Sequence, residues 1–190
     1  MTLTAGLRKF ALTLHVIVSV GWAGLVAGFL ALAIAGLISA NIQLVGASYL
    51  AMDLTYRSVV VPLGLASLIT GVISSLGTEW GLFRYYWVLV KLLLTVPAIV
   101  LMLVHVRPVA YVAGVAAAAT LSSGELAGLR IQLVAYAAAA LMVLLAATAL
   151  STYKPRGRTG YAARKLREQS VVHPQAGSVA RQLSQAPELD

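Results

Sequence analysis

From Phe10 to Met52 the chain carries no Asp, Glu, Lys or Arg. Ser58–Thr78, Leu92–Val106 and Ile131–Tyr153 are likewise free of charge. A helix needs ~20 mostly apolar residues, at ~1.5 Å each, to cross a bilayer core. The third stretch is the shortest, and Lys91 separates it from the apolar residues before it. The pattern predicts an all-α transmembrane bundle of about four spans, at about 8–40, 53–77, 84–107 and 129–152. The Val/Ala run Val109–Leu121 is short for a span. It reads as an outer interfacial helix, or as an extension of the third span, ending in the loop Ser122-Ser123-Gly124. Residues 1–153 thus form the membrane domain. Residues 154–190, with Pro155, Gly157, Gly160, Pro174, Gly177 and Pro187 and little apolar periodicity, read as a disordered basic tail.

Composition sharpens this picture. Only 11% of the 190 residues are charged and 60% are hydrophobic. Soluble domains carry about 25% charge, so a water-facing surface cannot be built from this chain. There is no cysteine, which excludes disulfides, thiolate metal sites and cysteine-ligated iron–sulfur clusters. The apolar run after Arg8 and Lys9 is far longer than a signal-peptide core, so the first helix is expected to stay in the mature protein.

Basic residues set the orientation. With both ends inside a prokaryotic cytoplasmic membrane, Arg8, Lys9, Arg84 and the tail residues Lys154, Arg156, Arg158, Arg164, Lys165, Arg167 and Arg181 are cytoplasmic. Arg57, Arg107 and Arg130 then lie outside. The expected partners are the bilayer itself and anionic lipid headgroups at the tail, not nucleic acid. A homo-oligomer or a redox partner is left open.

Helix 1 carries a row of small residues at spacing four behind His15: Ser19, Ala23, Ala27, Ala31, Ala35 and Ser39. The neighbouring row is bulky: Leu14, Val18, Trp22, Val26, Leu30, Ile34 and Ile38. Small residues allow helices to approach closely in lipid, so the small row is expected to face the bundle and much of the bulky row to face lipid. Gly24 and Gly28 add a GxxxG pair. His15 then points inward, with Trp22 one heptad later on nearly the same side. In helix 3, Lys91, Thr95, Ala98, Met102 and His105 share one face at spacings of four and three, beside a kink expected at Pro97. His15 and Lys91 each lie about two turns from the cytoplasmic entrance, so they are expected in one layer. An ionisable residue inside a membrane marks a functional site by default. His105, about 21 Å further across, and Arg57 are secondary outer-side candidates, expected with Arg107 and Asp53 near the outer surface. Asp53 and Arg57, four apart, are placed to pair.

The run Leu14-His15-Val16-Ile17-Val18-Ser19-Val20-Gly21-Trp22-Ala23-Gly24 resembles the opening of a superfamily of small helical membrane proteins. It includes the CopD copper-resistance proteins, the HemJ-type protoporphyrinogen oxidases and a group of uncharacterised integral membrane proteins. Trp87-Val88-Leu89-Val90-Lys91-Leu92-Leu93-Leu94 is similar to the HemJ segment in which a helix 3 lysine precedes a leucine run. The resemblance covers helices 1–3. It implies a b-type haem, with His15 as an axial metal ligand and Lys91, with Trp22, shaping the cofactor site. Met1, Met52, Met102 and Met142 are scattered and form no Met/His cluster for copper. The expected function is membrane redox chemistry with haem b. The alternative is a cofactor-free membrane component or small transporter in which His15 and Lys91 serve structure or proton movement.

Overall fold

The computed structural model describes residues 4–76, 85–117 and 124–153. The basic tail, Arg84 and most of the loop before Gly124 lie outside these residues. Among the described residues, four helical spans are long and apolar enough to cross a membrane: Ala5–Ile38, Ile42–Leu76, Tyr86–Ala117 and Leu126–Tyr153. The protein is an all-α four-helix bundle.

Span 1 is one helix, α1 (Ala5–Ile38). The chain turns at Ser39–Asn41, where the Asn41 side chain accepts hydrogen bonds from the backbone N–H of Gln43 (3.0 Å) and Leu44 (3.3 Å). An asparagine N-cap satisfies otherwise orphaned donors and starts a helix. Span 2 therefore begins at Ile42, well before the expected 53. It comprises α2 (Ile42–Thr55), a π-helical turn (Tyr56–Val60) and α3 (Val61–Leu76). The π turn precedes Pro62, whose ring crowds the carbonyl four residues back and which lacks an N–H.

Span 3 comprises α4 (Tyr86–Val104) and α5 (Val106–Ala117). Of the two readings of 108–121, the helix extension is the one found. A single-residue break at His105 precedes Pro108 by three positions, as expected where proline disrupts the ladder. Span 4 is α6 (Gly124–Tyr153). α1 is central, packing on α2, α3 and α6, while α4 packs on α6 and α2 on α5.

The buried face of α1 differs from the expected one. Val18, Trp22, Val26, Phe29, Ala33 and Gly36 are buried, whereas Ala27 and Ala31 are exposed. Much of the bulky row thus faces the bundle. The interior is filled by interdigitation of large against small, and here the neighbouring helices supply the small partners. A Cβ at Gly64 would lie 3.0 Å from both Trp22 Cε2 and Met102 Cε. Gly24 and Gly28 have nothing within 4 Å of where a Cβ would sit, so among the described residues no neighbouring helix packs closely on the GxxxG pair.

Candidate functional site

The structure brings His15 and Lys91 into direct contact, with Lys91 Nζ 3.3 Å from His15 Nε2. An ammonium only donates, so Nε2 carries the imidazole lone pair. The proton is then on Nδ1, which lies 3.1 Å from Thr70 Oγ1. Thr70 donates its own hydroxyl proton to Ala66 O at 2.7 Å, leaving an oxygen lone pair to receive His15 Nδ1–H. Gly71 makes this approach possible, because a Cβ there would lie 3.0 Å from His15 Cε1.

Hydroxyls extend the cluster on both sides. Ser19 and Ser67 share a 2.7 Å hydrogen bond, and Ser19 Oγ lies 3.4 Å from His15 Nδ1. Lys91 also donates to Ser151 Oγ at 2.9 Å, tying α4 to α6. The layer thus joins all four spans through α1, α3, α4 and α6. Among the described residues the only ion pair in the protein is Arg57–Asp53 at 2.7 Å, so Lys91 has only neutral partners there. Ser67 and Gly71, four apart on α3, are visible in the sequence as a small seam. Nothing in the sequence singles out Thr70 or Ser151 as partners of the two bases, because only the crossing of the helices brings them there.

Trp22 is buried, as is His105, but among the described residues neither is hydrogen-bonded to this cluster. Both line a cavity of about 300 Å³ whose walls include Phe29, Tyr56, Met102 and Tyr136. His105 Nδ1–H donates to Leu101 O at 2.7 Å, and the ring meets Tyr136 edge-on at 3.9 Å between centroids. Tyr56 donates to Met102 O at 2.8 Å. His105 lies two residues before Arg107, at about the same depth, and is hydrogen-bonded to none of Arg57, Arg107 and Asp53 among the described residues. The break at His105 turns its ring into the bundle, while Arg57 and Arg107 are exposed.

A second basic anchor, which the sequence shows only as an outside charge, is Arg130. Arg130 on α6 donates to the carbonyls of Gly36 and Leu37 at the end of α1, and to Tyr49 Oη at 3.0 Å. This arginine closes the C-terminus of α1, where a cation also complements the helix dipole.

Among the described residues, no three His, Asp or Glu side chains converge to hold a metal. Comparison with protein-family models, with curated proteins and with solved structures yields no match for this chain.

Proposed function

We propose that this multi-pass membrane protein binds b-type haem at His15 and works in membrane redox chemistry, with both termini in the cytoplasm of a prokaryote. The observation that carries the reading is the disposition of the His15 imidazole. Its Nδ1–H is held by Thr70 and its Nε2 lone pair is directed between the helices at a cation. Ligand histidines commonly commit their second nitrogen in this way, which fixes tautomer and ring orientation. When bound, the haem would supply one-electron chemistry. Lys91, neutral-partnered among the described residues, is the cation suited to its propionates. The resemblance to HemJ-type proteins carries functional roles onto the same two positions.

The imidazole would suit haem iron as a ligand, while the space is not ready-made. The cavity begins about a heptad deeper than His15 and includes neither His15 nor Lys91. Haem at His15 therefore requires Lys91 to leave Nε2, which its flexible stem allows and an anionic partner would favour. The visible spectrum of the purified protein after haem supplementation tests this. A Soret band that disappears in His15→Ala and persists in His105→Ala is expected. No band, or one unchanged in His15→Ala, removes the haem reading. The cofactor-free reading would then stand, favoured by the partners that both ring nitrogens already have.

A further inference from the structure

The haem reading leaves the cavity unused. At about 300 Å³ it is at the bottom of the ~300–1,000 Å³ that ligand pockets span, room for one or two rings. Its walls are nearly all apolar, and Trp22, Phe29, Tyr56 and Tyr136 offer flat faces. Leu93 (73% exposed) and Leu101 (37% exposed) on α4, with exposed Ala139 on α6, also line it. The cavity thus reaches the lipid-facing surface between α4 and α6. Beyond its other end, the Lys91–Ser151 hydrogen bond holds the same two helices together.

One buried polar group in these walls, the Trp22 indole N–H, has no partner among the described residues. His105 is 8% exposed and commits its Nδ1–H to Leu101 O. Its Nε2 therefore carries the lone pair in the cavity wall. Tyr56 Oη is already bonded to Met102 O, and Tyr136 Oη accepts from Gln132. Buried polar groups left unmade are costly and are the exception in folded proteins. An alkyl chain could hydrogen-bond to neither the Trp22 N–H nor His105 Nε2, and a charged headgroup would be stranded among apolar walls. A neutral hydroxyl both donates and accepts. His105 lies 19 residues past Tyr86, about 29 Å along the helix. That is near the edge of a ~30 Å hydrocarbon layer, the depth suited to the hydroxyl end of an amphipathic lipid.

We propose that the cavity between α4 and α6 binds the ring of a bilayer-soluble quinol, entering from the lipid, with a ring hydroxyl donating to His105 Nε2. This does not depend on haem at His15. The full chain in nanodiscs is titrated with menadiol, kept reduced under anaerobic conditions, and with its dimethyl ether, against empty nanodiscs. Saturable binding of the diol is expected, with the ether, which cannot donate, about tenfold weaker or worse. His105→Phe should weaken the diol about tenfold and leave the ether unchanged, and His105→Gln, which keeps an acceptor, should recover part of the loss. Ala137→Phe, which fills the cavity from α6, should abolish binding of both. The proposal is overturned if the ether binds the wild-type protein as well as the diol does. It is also overturned if folded His105→Phe holds the diol unchanged. If His105→Phe fails to fold, the diol-to-ether ratio on the wild-type protein decides.

Discussion

Gly36 and Gly24 look alike in the sequence and have opposite duties. A Cβ at Gly36 would lie 2.8 Å from Tyr49 Cζ, and Tyr49 is held by Arg130, so the ring cannot give way cheaply. At Gly24 a Cβ meets nothing within 4 Å. Gly36→Ala should therefore destabilise the protein by about 1–3 kcal/mol, the usual range for overpacking. Gly24→Ala should be neutral, or stabilising by up to about 1 kcal/mol through helix propensity. Thermal unfolding in one detergent compares them, and equal midpoints for the two variants would contradict the packing described. His15 and Lys91 were legible as a pair from depth alone. Thr70, which sets the imidazole tautomer, was not, because a threonine on a packed helix more often bonds its own backbone, as Thr70 also does to Ala66 O.

At the level of elements, the charges on α6 and α4 act as ties rather than as isolated ions. Arg130 joins the end of α1 to α2 and α6, and Lys91 joins α4 to α1 and α6. Arg130→Leu leaves two helix-end carbonyls and Tyr49 Oη without that donor. The expected loss is about 2 kcal/mol, in line with hydrogen bonds to a charged group. Arg130→Lys should restore only part of it, since one ammonium replaces a fork of donors. Full rescue by lysine in a thermal melt would show that charge alone matters there. The start of span 2 was missed because a long apolar run hides a single-residue cap, and Asn41 was the signal. The break at His105 was foreshadowed by Pro108, yet where the ring would point depended on how α4 meets α6.

Every span of the bundle is longer than one hydrocarbon core requires. The spans hold 28 to 35 residues, against the ~20 a membrane requires. Arg57 lies 19 residues before the end of α3 at Leu76, and Arg107 lies 21 after Tyr86. Both distances are about 30 Å along the helix, one hydrocarbon thickness. This level is read as the outer membrane boundary. The chain has no cysteine, so single-cysteine variants report position cleanly. Arg107→Cys in intact cells should react with a membrane-impermeant maleimide, and the lipid-facing Leu93→Cys should not. A reporter fused after Asp190 should be active only in the cytosol. Labelling of Leu93→Cys, or reporter activity outside the cytosol, would rule out this placement.

The number of spans, the all-α class and the shared layer of His15 and Lys91 followed from the chain itself. Charge-free runs of bilayer length admit little else, because an unpaired backbone is intolerable in lipid, and helical rise converts residue number directly into depth. Which face of α1 turns inward was decided only in three dimensions. Lipid and bundle interior are equally apolar, so hydrophobicity does not distinguish the two faces, and the choice falls to shape. Trp22 is buried because Gly64 makes room for it, and His105 lines a cavity because α4 breaks at that residue.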